Sequence, residues 1–382
     1  MAKGNNKIRR IGIFALAGLL VAAVLLTFGV ILKLKNDKII FKYDDLGVPY
    51  NDLYGKEQVN SRLSEDMTVF DGRLYVGGGD YDTNTGPVYV MSYDIAAKKW
   101  EQSSSPLPDE QIKRFRVLDG KLVTLGTDPR EDWELGNYYL LESGEWKTLR
   151  KLPSGIHCFD AVEWENEIFF GLGVNSGDYP AVRFDGESYT PVEFHKDGAV
   201  LDTSPHEIIR VYNLFTYKGQ LFAFLTLDEN DENGETALHY MELYVYNGEV
   251  FDFVSGRLPA CDLPDVVTSG DSVYLIMNDK LFKTQNLLEF SAVKLTDGAK
   301  VSDIIKHDGK IYLLAWRDIG KKYFEIMIFE ESDQGFRKQF GFFAQAAAGS
   351  FCKDGNDFYV SLGRRDPAII RDVGKVVRVR EK

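Results

Sequence analysis

The chain has 382 residues, with 45 Lys and Arg against 58 Asp and Glu, a formal charge of −13, 35 glycines and 3 cysteines. These counts exclude a disulfide-stapled miniprotein, a collagen-like or low-complexity chain, and a basic nucleic-acid binder that relies on phosphate neutralisation. With 44% hydrophobic and 13% aromatic residues, the chain can bury one large core or two ordinary ones. We therefore expect a folded protein without a nucleic-acid partner.

The N-terminal region differs in charge from the rest of the chain. Residues 1–33 carry five basic side chains and no acidic one, whereas the remaining 349 residues hold 40 basic and 58 acidic side chains. A basic tail, residues 1–10, precedes 22 uncharged residues, 11–32, enough at 1.5 Å per residue to cross a hydrocarbon core of roughly 30 Å. We predict a transmembrane helix over 11–32 and a juxtamembrane linker over 33–62. A cleaved signal peptide is the alternative, but the run exceeds the usual apolar length of about 7 to 15 residues and no cleavage site follows it.

Charges flanking this segment give a weak indication of orientation. Four basic side chains precede it, and Lys33, Lys35, Lys38 and Lys42 follow it, so the two sides are nearly equal. Because a short basic tail before a first apolar segment usually stays in the cytoplasm, we expect a single-pass protein with its main domain outside.

The cysteines do not indicate the compartment. Cys158, Cys261 and Cys352 are odd in number and widely spaced, so at least one is a free thiol unless it pairs with another chain. Buried apolar cysteines are the expected interpretation.

A short phrase recurs along residues 63–382: a tight turn, often Asp-Gly, followed by an apolar run. Such a turn between β-branched or aromatic runs is typical of a two-residue hairpin. The phrase aligns at spacings of 48, 46, 53, 52, 38 and 47 residues. The seven aligned positions are Leu74, Leu122, Ile168, Leu221, Val273, Ile311 and Phe358.

A second hairpin follows in the repeat, most clearly where the segments end at an aromatic residue. Four short strands repeated seven times at these spacings predict an all-β fold, a seven-bladed β-propeller over residues 63–382. A β-sandwich is the alternative, but sandwiches do not keep one register across seven units. The clearest copies end at Trp100, Trp146, Tyr189, Phe251 and Phe336.

The first unit has a double-glycine strand end, Gly77 and Gly78, followed by Tyr93 and Trp100, and Leu-Pro pairs recur at Leu107, Leu152 and Leu258. In these features it resembles the kelch-type propeller family. The resemblance covers about 320 residues for architecture, although units three to seven lack the double glycine and the tryptophan. Because this family includes adaptors, lectin-like binders and a few enzymes, the resemblance implies a fold more than a function. The matching residues are Leu74, Tyr75, Val76, Gly77, Gly78, Gly79, Tyr93, Asp94, Trp100 and Trp146.

One position of the repeat is polar in every unit and is followed by an apolar residue. Alternation in a strand places such a polar residue on the axial channel and its neighbour between blades. Four carboxylates and a guanidinium there predict a ring that binds a cation, a polyol or a basic peptide, with Arg114 paired to an acid. Ordinary polar channel lining is the alternative. The ring residues are Asp66, Arg114, Asp160, Asn213, Asp265, Asp303 and Ser350.

Long connections all fall on one predicted face of the propeller, where binding loops are expected. On this face His157 and His206 could converge with Asp160 as a metal site or an acid–base pair, although hydrogen-bonded loop histidines are the alternative. The predicted long connections are residues 77–87, 126–137, 190–207, 227–240 and 317–323.

Two acidic segments are candidate metal sites. Asp80, Asp82 and Asn84 resemble the start of a calcium loop but lack its glycine and final acid, and residues 228–235 are expected to be a solvated acidic loop. No cofactor is identified from the sequence, and a divalent cation remains open.

No catalytic fingerprint is present. The preferred function is therefore a membrane-anchored binding or interaction scaffold for a glycan, cation or peptide. The alternatives are a glycan-active hydrolase or lyase and an accessory subunit of a membrane complex.

Two segments compete for the outer strand of the seventh unit. Residues 368–370 and 375–379 would complete it from the C-terminus, whereas residues 38–43 would close the ring with the N-terminal end. The second arrangement would bring the membrane segment in from the short-turn face.

Overall fold

The computed structural model describes residues 27, 38–40, 42–54, 58, 60–130, 133–175, 177–230, 236–259, 265–296, 298–364 and 371–380. Of the predicted basic tail and membrane helix only residue 27 is among them, and Cys261 lies outside the described residues. Among the described residues, none of the helices is long and apolar enough to cross a membrane.

Strands dominate these residues, with short 3-10 helices at Asn60–Arg62 and Tyr81–Thr83. The pairing divides most strands into sets of four that are consecutive along the chain and antiparallel. The N-terminal strand is β1 (Asp44–Gly47). Set 1 is β2 (Asp66–Phe70), β3 (Arg73–Gly77), β4 (Met91–Asp94) and β5 (Lys99–Gln102). Set 2 is β6 (Asp109–Leu118), β7 (Lys121–Pro129), β8 (Tyr138–Glu142) and β9 (Glu145–Leu149). Set 3 is β10 (His157–Trp164), β11 (Glu167–Val174), β12 (Ala181–Phe184) and β13 (Tyr189–Val192).

The next sets follow after a small hairpin, β14 (Phe194–Lys196) and β15 (Ala199–Val200). Set 4 is β16 (Ile209–Tyr217), β17 (Gln220–Asn230), β18 (Thr236–Tyr246) and β19 (Phe251–Pro259), and β14 pairs in parallel with β19 at its outer edge. Set 5 is β20 (Val266–Ser269), β21 (Ser272–Met277), β22 (Lys280–Thr284) and β23 (Ser291–Ala292). Set 6 is β24 (Lys300–His307), β25 (Lys310–Gly320), β26 (Tyr323–Ser332) and β27 (Gly335–Ala344). Set 7 is β28 (Ala348–Asp354), β29 (Asp357–Leu362), β30 (Val376–Arg380) and β1.

The first two strands of every set are joined by two residues, as the recurring phrase predicts. Asp71 and Gly72 of set 1 have φ values of 46° and 71°, and Asp308 and Gly309 of set 6 have 49° and 75°. Positive φ at both central residues is the geometry of a type I′ turn, which Asp-Gly tolerates and most residue pairs do not. These seven turns lie on one face, which we call the short-turn face; the opposite face is the long-loop face.

The first strand of each set contacts the first strand of the next, and β28 of set 7 contacts β2 of set 1. The sets therefore form a closed ring, which is a β-propeller. Apolar side chains fill the layers between sets; Phe169 and Val211, for example, are fully buried between sets 3 and 4. Because each sheet is covered on both faces by its neighbours, strands such as β21 are buried along their whole length.

The outer strand of set 7 is β1, so both chain ends close the ring. Neither predicted alternative is correct in detail: residues 376–380 form the third strand of the set rather than the outermost, and residues 368–370 lie outside the described residues. Residues 38–40 instead lie beside set 6, where Ile39 bridges Gly341 in parallel. The closing strand Asp44–Gly47 is selected by its partners, since Arg378 pairs with Asp44 and Lys375 lies 3.0 Å from Asp45.

Two of the predicted long connections are mainly strand. Residues 227–230 and 236–240 belong to β17 and β18, and residues 317–323 belong to a hairpin whose turn is Lys321 and Lys322. Sets 4 and 6 therefore carry extended hairpins on the long-loop face instead of irregular loops.

The glycines that carry the kelch resemblance lie where a side chain would collide. A Cβ at Gly77 would come within 2.7 Å of the carbonyl oxygen of Ile112 in set 2, and one at Gly78 within 2.6 Å of the ring of Tyr50. Close approach of set 1 to set 2 and to the buried Tyr50 therefore requires glycine at both positions.

Candidate functional site

Three of the predicted ring carboxylates join neighbouring sets. Asp160 accepts hydrogen bonds from the backbone N–H of Ala161 in its own strand and of Leu214 in the next set, both at 2.9 Å. The same arrangement recurs at Asp66 with Met67 and Phe115, at 2.8 and 2.7 Å, and at Asp303 with Ile304 and Phe351, at 2.7 and 2.8 Å. Their oxygens are therefore already occupied by protein donors, and each carboxylate links two sets.

Arg114 of set 2 reaches across the axis. Its guanidinium donates to the backbone carbonyl of Tyr212 in set 4 at 3.1 Å and to Asp265 in set 5 at 3.0 Å, and it lies 3.4 Å from Asp160 in set 3. Arg116 adds a second guanidinium to Asp160 at 2.8 Å. The predicted pairing of Arg114 with an acid is present.

The other two ring residues differ from the carboxylates. Ser350 donates to the carbonyl of Ser64 at 3.3 Å, which joins set 7 to the entry of set 1. Asn213 is 2% exposed, and its Oδ1 has no hydrogen-bond partner within the described part of the chain.

Burial shapes the protonation of the ring. It raises the pKa of Asp66 to about 6, although the N–H of Phe115 and the charge of Arg116 oppose the shift. It also raises the pKa of Asp303, where the negative charges of Asp265 and Asp66 add to the effect. Desolvation and like charge both disfavour ionisation, so the ring is less anionic than its composition implies.

A cavity of 1060 Å³ lies on the axis and is lined by five ring residues, Asp66, Arg114, Asp265, Asp303 and Ser350. Asp160, like Asn213, is not among the lining residues. The walls hold seven Lys and Arg against six Asp and Glu, although the chain after residue 33 has 40 basic and 58 acidic residues. The basic lining residues are Lys113, Arg114, Arg116, Arg210, Lys306, Lys353 and Arg364.

At the long-loop mouth, sets 2, 3 and 4 join in one continuous row of paired residues. His157 pairs with Thr127 of set 2 and with Gly173 of its own set, and Gly173 pairs with Arg210 of set 4. Directly opposed residues project to the same side of a sheet, so these side chains share one surface. We call Thr127, His157, Gly173 and Arg210 the shelf; its three side chains line the cavity.

Gly173 leaves space for the rings of His157 and the neighbouring Phe159. A Cβ at this position would come within 2.7 Å of the Phe159 ring and 2.8 Å of the His157 ring. The Phe159 ring lies 5.2 Å from His157 and 4.6 Å from Tyr212, and Arg210 donates to the Tyr212 hydroxyl at 2.7 Å. The result is an aromatic and cationic patch at the mouth.

The positive charge of the patch acts on Asp128, whose carboxylate lies 3.1 Å from the Nδ1 atom of His157. Burial acts to raise the pKa of Asp128, but the close contact and charge of His157, together with the charges of Lys113 and Arg210, hold this pKa below its usual value. Three cationic or basic side chains therefore surround one carboxylate. A ligand with further negative charge suits this patch.

Buried polar atoms border the shelf at both ends of the row. Gln111, opposite Thr127, and Thr226, opposite Arg210, are buried, and their side-chain polar atoms have no hydrogen-bond partner in the part of the chain that the structure describes. The Oγ1 atom of Thr127 is also buried without a hydrogen-bond partner among the described residues. Such atoms cost free energy unless water or a ligand satisfies them.

The two predicted histidines lie against different carboxylates. The Nδ1 atom of His206 is bonded to the backbone carbonyl of Asp228 and lies 3.7 Å from its carboxylate, whereas His157 lies against Asp128. Asp160 is instead held by Arg114, Arg116 and backbone donors. His206 does not line the cavity.

The acidic segments are structured rather than solvated at their key positions. Asp228 is buried and accepts from the N–H groups of Glu207 and Ile208, so the expectation of a solvated loop is wrong at this residue. Residues 231–235 of that segment lie outside the described residues. Asp80 is buried and accepts from Asp82 N–H and the Thr83 hydroxyl. No group of three or more metal-ligating side chains lies together among the residues that the structure describes.

The cysteines that are described are buried and unpaired. Burial raises the pKa of both Cys158 and Cys352, so neither is a reactive thiolate at neutral pH.

Sequence reasoning missed Lys113, Phe159, Arg210 and Tyr212. Each precedes a ring residue by one or three positions, as His157 does. The repeat alignment that located the ring could therefore also have located these residues. A β-bulge immediately before the ring residue in sets 2, 3 and 4 re-aims these side chains toward the mouth, and the sequence does not mark the bulge.

No family model matches the chain, and no curated protein matches it. Among solved structures, an ulvan lyase of polysaccharide lyase family PL25 is 13% identical over 90% of this chain and 96% of its own, with a TM-score of 0.51. The β-propeller domain of the Trilobed protease from Pyrococcus furiosus is 8% identical over 84% and 96% of the two chains, with a TM-score of 0.44. BamB from Moraxella catarrhalis is 12% identical over 82% and 92%, with a TM-score of 0.36. The likeness to the ulvan lyase is one of fold.

Proposed function

We propose that this protein is a membrane-anchored, extracytoplasmic seven-bladed propeller of kelch-like type that binds an acidic glycan at the shelf. Each four-stranded set would be one blade, and residues 11–32 would hold the propeller to the membrane. The observation that carries the proposal is the clustering of Lys113, His157 and Arg210 around one mouth of the cavity, in a domain of opposite net charge.

The chemistry of the patch selects the ligand class. Arg210 presents a planar guanidinium that suits a carboxylate. Phe159 and Tyr212 are buried, and their rings support this guanidinium, which lies 5.9 Å from each ring. A cation, which the sequence left open as a ligand, is disfavoured here because the ring carboxylates bond to protein donors and the mouth is basic. A uronic-acid glycan supplies the carboxylate that this basic mouth suits.

Titration of the protein with polygalacturonate tests the proposal. Arg210→Ala should weaken binding about tenfold, because one charge-assisted interaction is lost. Arg183→Ala is the matched control, since Arg183 also lies near a tyrosine hydroxyl, 3.3 Å from that of Tyr246, but outside the cavity. Equal binding by both variants, or wild-type binding no tighter than to neutral dextran, contradicts the proposal. Tighter binding to polyglutamate would replace the glycan with an acidic peptide.

A glycan lyase is a second candidate, favoured by the two potential acid–base groups on the patch. His157 lies against Asp128 and Tyr212 against Arg210, and both line the cavity. In β-elimination a base removes the proton next to the uronate carboxylate, the electron pair forms a C=C bond, the glycosidic C–O bond breaks, and an acid protonates the leaving oxygen. Arg210 and Lys113 would neutralise the carboxylate while His157 and Tyr212 exchange the protons. The neighbouring ulvan lyase supports this candidate at the level of fold alone.

Lyase action is followed by the ultraviolet absorbance of the unsaturated uronate product. His157→Ala should abolish the signal and leave binding of polygalacturonate largely intact, since Arg210 remains. Wild-type protein that binds the polymer without producing this absorbance leaves binding as the function.

A further inference from the structure

The rim of the long-loop mouth is uneven. β17 extends six residues past Phe224, the partner of ring residue Asn213, and β25 extends six past Leu314, the partner of Asp303. In set 5 between them, β21 extends one residue past Ile276, whose N–H bonds to the carbonyl of Asp265. Five residues of strand correspond to about 17 Å. The two tall hairpins therefore flank a notch over set 5.

The floor of this notch is basic and aromatic. Lys300 lies 5.0 Å from the ring of Trp316, and the guanidinium of Arg364 lies 5.9 Å from the same ring. Asp279, in the turn between β21 and β22 on the long-loop face, holds both cations, with its oxygens 3.4 Å from Lys300 and 2.7 Å from Arg364. The indole Nε1 of Trp316 is buried without a hydrogen-bond partner in the regions the structure describes. The ring packs with the apolar cluster between sets 6 and 7, so it supports the two cations and leaves a buried, unused donor beside them.

The notch continues into the cavity. Arg364 belongs both to this floor and to the cavity lining, so the cationic surface runs from Lys300 to the axis. On the flanking wall of set 6, Ile319 and Tyr323 are 45% and 44% exposed beside Lys321 and Lys322. The tip of this wall therefore presents apolar and basic groups to a chain that passes through the notch.

We propose that the notch is a second subsite, which binds an outer segment of an acidic polysaccharide whose inner segment occupies the shelf. This inference rests on the proposed binding of an acidic glycan and adds that the ligand is a polymer bound along its length. Charge complementarity selects an anionic chain. Because the notch is open, a polysaccharide can lie across it at an internal segment and does not have to enter by its end. A short acidic sugar fills the shelf alone.

The experiment compares polygalacturonate with digalacturonate on the full chain. Lys300→Ala should weaken polygalacturonate binding about fivefold and leave digalacturonate binding unchanged, because only the polymer reaches the notch. Trp316→Phe keeps an aromatic ring against Phe324 while removing Nε1, and it should show the same selective loss. Lys218→Ala is the matched control, since Lys218 also lies 5.0 Å from an aromatic ring, that of Tyr217, but on the short-turn face.

The outcomes separate the two proposals. If Arg210→Ala weakens both ligands but Lys300→Ala and Trp316→Phe weaken neither, the shelf stands and the notch is overturned. Equal losses for polymer and dimer in Lys300→Ala also overturn a separate subsite. If the wild-type protein binds neither ligand, the proposed function fails and the notch proposal fails with it.

Discussion

The guanidinium of Arg114 donates to the carboxylate of Asp265 at 3.0 Å, and this pair spans the axis from set 2 to set 5. Arg114 also contacts sets 3 and 4, and it is 5% exposed. One side chain therefore ties four sets of the ring together at its centre. Charge between Arg114 and the surrounding carboxylates raises the arginine pKa against the opposing effect of burial.

Replacing Arg114 with methionine should reduce the free energy of unfolding by about 3 kcal/mol, since buried Asp160 loses one of its two guanidinium partners and Asp265 loses its ion pair. Arg73→Met is the control: Arg73 pairs with Glu101 in a more exposed setting, and its loss should cost less than about 1 kcal/mol. Urea denaturation measures both. Equal losses would mean that the axial cluster does not stabilise the ring.

The carboxylates that join neighbouring sets make a separate prediction. Asp303→Ala leaves the N–H groups of Ile304 and Phe351 without their acceptor, which should cost about 2 to 4 kcal/mol of unfolding free energy. Asp271→Ala should be nearly neutral because its carboxylate is 80% exposed and lies 3.6 Å from Lys218. A near-neutral Asp303→Ala in the same denaturation experiment would refute the bridging role.

Ring closure by the N-terminal strand is tested by truncation. A chain beginning at residue 49 lacks β1, its pairing with β30, and the bond from the Trp100 indole to the carbonyl of Leu46 at 2.5 Å. A chain beginning at residue 42 keeps them and serves as the control. We expect the shorter chain to unfold at a lower temperature, and coincident transitions would show that β1 is dispensable.

Stability should also depend on pH through Asp109, a buried residue of β6 that accepts from Tyr139 and Asn137. Burial raises the pKa of Asp109 to about 7, whereas the pKa of an aspartate in an unfolded chain is about 4. Between these values the folded chain keeps a proton that the unfolded chain has lost, so this group lowers the unfolding free energy as pH rises, by up to about 4 kcal/mol.

Asp109→Asn removes this titration. The unfolding free energy of the variant relative to wild type should therefore increase between pH 4 and pH 8, by the same amount of up to about 4 kcal/mol. Identical pH profiles would contradict the assignment.

Local chemistry made much of the fold predictable. Turns such as Asp71-Gly72 and Asp308-Gly309 have φ values that few other residue pairs adopt, so the hairpins and their register were evident from the chain. The closing strand was predicted at residues 38–43 because these have the higher strand propensity. The structure places it at Asp44–Gly47, where the ladder with β30, the packing of Leu46 and the bond from Trp100 to its carbonyl hold it against remote parts of the chain.

The site was less predictable because it depends on contacts between remote sets. Alternation correctly placed Arg114 on the axis, but nothing local indicates that it reaches Asp265, 151 positions away. The shelf depends on Gly173 pairing with both His157 and Arg210, which requires adjacent sets to approach closely enough for their strands to bond. Long-range packing of this kind leaves no periodic signal.

The most direct test of acidic-glycan binding at the shelf is hydrogen exchange with and without polygalacturonate. Peptides that contain Lys113, His157 and Arg210 should exchange more slowly with the polymer, while peptides covering the short turns at Asp71 and Lys218 should not change. Protection confined to the short turns, or no protection at the shelf at a saturating polymer concentration, would contradict the proposed function.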